Sequence, residues 1–216
     1  MKVFDWMSIR GIIQIGANDG TELYEFQHYT KNIILFEPIF KARVELLRKL
    51  RERNIDNIFV FDYVVSDKDE MFCDFFEGTE SGNSSLFDLN PERSDAHVCN
   101  NHERSIVCQS LSLDTFRELN KKLFEIYPFN FLYMDVQGAE HLVLSGGGKI
   151  LNELIDYVWL EVSHEEVYLG TLLFDQMIAE MEKYGFYLAY YEKSESNIGQ
   201  GDALFTKDIS RKILNV

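Results

Sequence analysis

The chain has 216 residues, 46% hydrophobic and 14% aromatic, enough apolar side chain for one sizeable core, so a single domain over residues 1–216 is expected. Its formal charge of −15 creates a negative field that repels phosphate backbones and anionic bilayers, which argues against nucleic-acid and membrane partners.

Taken in chain order, "GIIQI" (11–15) and "NIILF" (32–36) are short apolar runs ending at turn-forming or charged residues, and both read as buried strands. Phe40, Val44, Leu47 and Leu50 recur at helical spacing among charged residues, which predicts an amphipathic helix over 40–53. "NIFVFDYVV" (57–65) is strand-like. Residues 67–112 are polar, rich in serine and asparagine and without helical period, so they are expected to form an irregular insertion, a possible substrate lid. The rhythm resumes with a helix over 113–126, a strand "FNFLYMD", a helix interrupted by Gly146, Gly147 and Gly148, and a strand "YVWLEVS". A last helix carries Leu173, Met177, Met181 and Tyr184 on one face, and "FYLAYY" and "DALFTK" are expected to pair as a hairpin. Strands alternating with helices imply right-handed crossovers and a mostly parallel sheet with helices on both faces, and a terminal antiparallel pair is compatible with it.

In such sheets ligands bind beyond the carboxyl ends of the strands. The first strand-to-helix turn, "QIGANDG", places Gln14, Gly16, Asn18 and Gly20 at every second position, and Gly and Asn most readily accept positive φ. The dinucleotide pattern G-x-G-x-x-G is not satisfied. A pyrophosphate wants bare amides, whereas Asp19 puts a carboxylate in the turn. S-adenosylmethionine, cationic and free of phosphate, suits an acidic turn better, and Glu37 in "LFEP" stands where an acid can accept both ribose hydroxyls. A ligand-free reading is also open: Asp19 as helix cap with Glu22 completing a capping box, and Glu37 as an exposed strand end before Pro38.

The segments "IGANDG", "FEP", "VVSD", "SSL" (84–86), "SLDTF" (112–116), "DVQGAE", "LEVS", "VYLGT" and "ALF" follow one another in the order seen in the FkbM-type family of S-adenosylmethionine-dependent methyltransferases, which the chain resembles from about residue 10 to 206. The resemblance implies a single Rossmann-like class I methyltransferase domain of the α/β class, with a mostly parallel seven-stranded sheet. It also implies that Gly16, Ala17, Asn18, Asp19 and Gly20 surround the methionine part of the cofactor. Glu37, followed by Pro38, would hold the ribose, and Val65 and Ser66 would border the adenine. Asp135 would face the cofactor's amino end and the acceptor, with Gln137 beside it. The sequence departs from the family at Gln137, where a glutamate is usual, and at Tyr133, where a lysine is frequent. The implied chemistry is O-methylation of a hydroxyl on a sugar, glycan or other small molecule.

Such a transfer needs a base near the strand ends, and Asp135, Glu161 and His164 are the candidates. His164 has the best unperturbed pKa, although it also reads as an ordinary loop histidine. Asp135 with Glu161 falls short of a full Mg²⁺ shell, so a metal is not favoured. His97, Cys99, His102 and Cys108 fit no standard zinc spacing, and with Cys73 the three cysteines read as reduced thiols. "GGGK" (146–149) follows a helix and lacks the Ser or Thr of a phosphate loop, and Asn83-Ser84-Ser85 matches a glycosylation acceptor that matters only in a secretory chain. No apolar run of about 18 residues and no secretory leader pattern occur in the sequence, so a cytoplasmic location is expected. Two other functions remain open: a non-catalytic binding or assembly module on the same fold, and an NAD-dependent oxidoreductase.

Overall fold

The computed structural model of the chain describes residues 7–53, 57–78, 81–92, 102–194 and 199–213. In chain order the elements are β1 (Ile12–Ile15), α1 (Leu23–Tyr29), β2 (Ile33–Phe36), α2 (Phe40–Glu52), β3 (Ile58–Phe61), β4 (Val64–Val65), β5 (Glu70–Gly78), β6 (His102–Leu111), α3 (Leu113–Leu119), α4 (Lys121–Ile126), β7 (Phe131–Met134), α5 (Glu140–Ser145), α6 (Gly148–Glu153), β8 (Tyr157–Ser163), α7 (Phe174–Lys183), β9 (Tyr187–Lys193) and β10 (Gln200–Thr206). Seven strands form one sheet in the order β3-β2-β1-β7-β8-β10-β9, in which β10 alone runs against its neighbours. The sheet and its terminal antiparallel strands are those expected from the sequence.

The central strands read as unbroken apolar runs because helices cover both faces. Alternation then sorts their side chains. Ile13 and Ile15 of β1 enter a core with Phe116 of α3, Val143 of α5, Leu151 of α6 and Met177 of α7. Ile12 enters the other core with Phe26 of α1 and Leu46 of α2. The glycine run does break a helix, and Gly146 lets the chain pass close to the end of β4 there: a Cβ on it would lie 2.1 Å from the Ser66 carbonyl oxygen.

Four expectations need correction. Helix α2 buries Ala42, Leu46 and Leu50, whereas Phe40, Val44 and Leu47, expected on the core face, are exposed. The residues of 57–65 divide between two sheets, with β3 in the large one and β4 pairing with β6. The 113–126 helix is two helices meeting at Asn120. Finally, the 67–112 stretch is not irregular throughout, since β5 and β6 pair antiparallel and, with β4, make a three-stranded sheet. Its period is two rather than 3.6. Cys73 and Phe75 face inward with Ile106 and Cys108 against Ile39 and Ala42, while Phe72 and Val107 point out. Of the four residues considered for zinc, His97 and Cys99 lie outside the described residues.

Candidate functional site

The turn after β1 is built from three left-handed residues at alternate positions: Gly16 at φ 80°, Asn18 at 46° and Gly20 at 80°. Gly16 cannot be replaced without moving the loop after β7, because its Cβ would sit 1.9 Å from the Asp135 carbonyl oxygen. This close approach brings the ends of β1, β2 and β7 around one cleft of about 720 Å³, its open mouth included. Among the sequence-derived candidates Gly16, Asn18, Glu37, Pro38, Val65 and Asp135 line it. Phe75, Gly82, Ser84 and Leu86 of the insertion roof it. The roof is tied down where the Ser85 hydroxyl donates to the Gln137 carbonyl oxygen at 2.8 Å.

Glu37 lines the cleft and is itself buried. Its Oε2 accepts the Asn18 amide and its Oε1 the Ile39 amide, both at 2.7 Å. Burial nevertheless pushes its pKa up to about 7, against those two hydrogen bonds. It is therefore not an exposed strand end. Arg43 donates to the main-chain oxygens of Glu37 and Pro38, which fixes the bend after β2.

Other candidates stand away from the cleft wall. Ala17 is fully buried under α1 and α2, and Gly20 leaves room for Leu46. The Ser66 hydroxyl closes a local turn with Lys68. Asp19 turns to Lys49 of α2, 2.7 Å away, which holds its carboxyl below the usual range. The acidity assigned to this turn is thus neutralised at Asp19. It is supplied instead by Glu22, whose Oε2 accepts from the fully buried Gln14 at 3.0 Å and which lines the cleft with Glu37 and Asp135. The capping-box alternative does not form, since α1 starts at Leu23 without a side-chain cap. Among the described residues the cleft lining holds three carboxylates and no lysine, arginine or histidine.

Of the three candidate bases, two come together and one does not. Gln137 Nε2 donates to Asp135 Oδ1 at 2.7 Å and to Glu161 Oε2 at 3.3 Å, and Glu161 Oε2 also accepts from Gln200 at 2.6 Å. The Asp135 side chain opens to the cleft but is crowded by protein elsewhere, and loss of water raises its pKa, with Glu22 and Asp202 adding to the rise. Glu161 is raised well above the usual range, first by burial and then by Asp135, so the two acids titrate together rather than independently. His164 lies past the end of β8 on the opposite face, hydrogen-bonded to the Tyr191 hydroxyl and edge-on to Phe174. Strand alternation accounts for the separation: Glu161 follows Trp159, whereas His164 follows Val162. Glu22, Tyr63, Phe75, Ser84 and Leu86 were not assigned to the site from the sequence; the "SSL" segment contains Ser84 and Leu86, and the alternation of β5 points at Phe75. Among the described residues no three His, Cys, Asp or Glu side chains are grouped to hold a metal ion.

A doubly wound sheet with one reversed strand beside its edge, and a cleft at the carboxyl ends of β1, β2 and β7, define a Rossmann-like methyltransferase fold. The family model described as Methyltransferase FkbM domain matches residues 14–188, and the chain belongs to that family. It is similar to 2-O-methyltransferase NoeI of Sinorhizobium fredii, with 26% identity over 166 residues that cover 74% of this chain and 66% of NoeI. Its fold resembles that of methyltransferase FkbM from Methylobacillus flagellatus KT, with a TM-score of 0.56 and 12% identity, covering 92% of this chain and 44% of that one. It also resembles magnesium protoporphyrin IX methyltransferase from Synechocystis PCC 6803, solved with bound S-adenosylmethionine, with a TM-score of 0.54, 7% identity and coverage of 96% and 77%. The chain therefore spans 66% of NoeI and 44% of the Methylobacillus protein.

Proposed function

We propose that this chain uses S-adenosylmethionine to methylate a hydroxyl of a sugar, glycan or other small acceptor. The observation that carries the reading is the charge of the cleft: among the described residues Glu22, Glu37 and Asp135 line it with no cationic side chain. Three carboxylates raise the cost of any phosphate there and favour a ligand bearing an ammonium and a sulfonium. The same charge disfavours a dinucleotide. The bound cofactor of the Synechocystis enzyme and the 2-O-methyltransferase name of NoeI support the reading from the side of the relatives.

When bound, the cofactor supplies a methyl group already activated by a positive sulfur. The residues of this chain hold and orient. Each Glu37 oxygen accepts one main-chain amide and keeps a second lone pair for a ribose hydroxyl. Glu22 is the partner for the α-ammonium. Val64, Val65, Phe75 and Leu86 form the apolar wall for the base. Asp135, open to the cleft, takes the proton from the acceptor hydroxyl.

Titration calorimetry with S-adenosylmethionine, followed by a screen with labelled cofactor against sugars, glycolipids and phenols, tests the reading. Binding, release of S-adenosylhomocysteine and label on one acceptor class are expected. Neither heat nor label transfer would end it.

A further inference from the structure

Gln137 stands where four parts of the molecule meet. It is buried, and its backbone is left-handed at φ 55°, a conformation that costs a non-glycine residue about 1 kcal/mol or more. Its amide is fully used: Nε2 reaches Asp135 at 2.7 Å and Glu161 at 3.3 Å, and Oε1 accepts the Tyr168 hydroxyl at 2.7 Å. Its main-chain oxygen receives Ser85 of the roof at 2.8 Å. An amide suits this place because it donates toward two carboxylates and accepts from a phenol. A carboxylate here would face two others, and a hydrocarbon would leave all three groups short of a partner.

One consequence concerns Asp135. Its Oδ1 is held by Gln137, while its Oδ2 accepts no hydrogen bond from any described residue and the side chain borders the cleft. We infer that Gln137 is a positioning residue: it keeps Oδ2 of Asp135 aimed into the cleft as the proton acceptor and ties that acceptor to the Ser84–Leu86 roof. This rests on the methyl-transfer reading. In that step the acceptor oxygen bonds the methyl carbon, the sulfur keeps the pair of the broken bond, and the hydroxyl proton moves to Oδ2. The titratable groups that act on Asp135 or feel its charge are Glu22, Tyr133, Glu140, Glu161, Tyr168 and Asp202, none of them cationic.

The test is a carbon-detected NMR titration of the Asp135 carboxyl in the full chain, with Asp135→Asn for assignment. The variants are Gln137→Met, Gln137→Glu and Ser85→Ala, and calorimetry with S-adenosylmethionine runs in the same buffers. Wild type is expected to titrate above the usual carboxylate range. Both Gln137 variants should move the midpoint up by about 0.5 pH unit or more, since Met removes a donor and Glu adds a third acid. Ser85→Ala should leave it in place. The acid limb of methyl transfer, read with the acceptor found in the screen, should move with the midpoint. Gln137→Glu keeps the measurement available if Gln137→Met does not fold. Equal midpoints in wild type and variants, or a wild-type midpoint near about 4, overturn the assignment of Gln137 even when the cofactor binds. A wild type that gives no heat with S-adenosylmethionine removes the methyl-transfer reading, and with it the acceptor that Gln137 would position.

Discussion

Two acids of the cleft region, Asp19 and Glu37, look alike in the sequence and differ in what they face. Asp19 is paired with Lys49 at the protein surface, an interaction worth about 1 kcal/mol or less. Asp19→Asn is therefore expected to lower stability by no more than about that amount and to leave cofactor affinity within about twofold. Glu37→Gln removes charge from a buried group that accepts two main-chain amides inside the cleft. It should weaken S-adenosylmethionine binding by about tenfold or more, as expected for a lost charge-assisted hydrogen bond. Calorimetry on the two variants, beside their thermal melts, separates the roles. Glu37 was legible because its place at a strand end before a proline is local. The pairing of Asp19 with Lys49 was not, because that partner comes from α2, distant in the chain.

At the scale of elements, α2 shows how a periodic pattern can be read on the wrong face. The sequence carries two apolar stripes, Phe40-Val44-Leu47 and Ala42-Leu46-Leu50, and spacing alone does not choose between them. The sheet chooses, burying Leu46 completely and leaving Leu47 45% exposed. Leu46→Ala is expected to cost about 3 kcal/mol, whereas Leu47→Ala should stay within about 0.5 kcal/mol. Denaturant unfolding of the pair reads the difference. The first turn allows a sharper test, since Gly16→Ala must absorb both a φ of 80° and a Cβ 1.9 Å from the Asp135 carbonyl oxygen. Loss of the folded state, or of cofactor binding, is the expected outcome in circular dichroism and calorimetry. The β5–β6 pair was hidden for a different reason: its partners lie far apart in the chain, so no short hairpin signal joins them.

For the whole molecule, buried acids set the response to pH. Glu37 and Glu140 are both raised by burial to about 7 from an ordinary 4.5, Glu140 while accepting the Val136 and Gly138 amides. A carboxyl whose folded pKa is raised lends stability that is complete below its unfolded value and is lost as pH climbs through the folded one. The window therefore runs from about 4.5 to 7, and each group contributes at most about 3 kcal/mol across it. Asp19 and Asp69 are shifted the other way, and their contribution is lost as pH falls below 3.8, outside that window. Scanning calorimetry should thus show the melting temperature falling between pH 5 and 8, and Glu140→Gln, which keeps an acceptor oxygen, should flatten the slope. No helix among the described residues is long and apolar enough to cross a membrane.

The sequence by itself determined the parallel strands, the antiparallel pair that ends the sheet, the left-handed positions of the first turn and the acid at the end of β2. Each of these follows from backbone preference or apolar period over a few neighbouring residues. Tertiary structure alone decided that Lys49 cancels Asp19, that Glu22 enters the cleft, that Gln137 joins Asp135 to Glu161, and that His164 leaves them for the other face of the sheet. Those outcomes depend on which charges and amides meet across strands and helices distant in the chain. Burial and pairing, unlike backbone preference, have no value until the chain has closed around them.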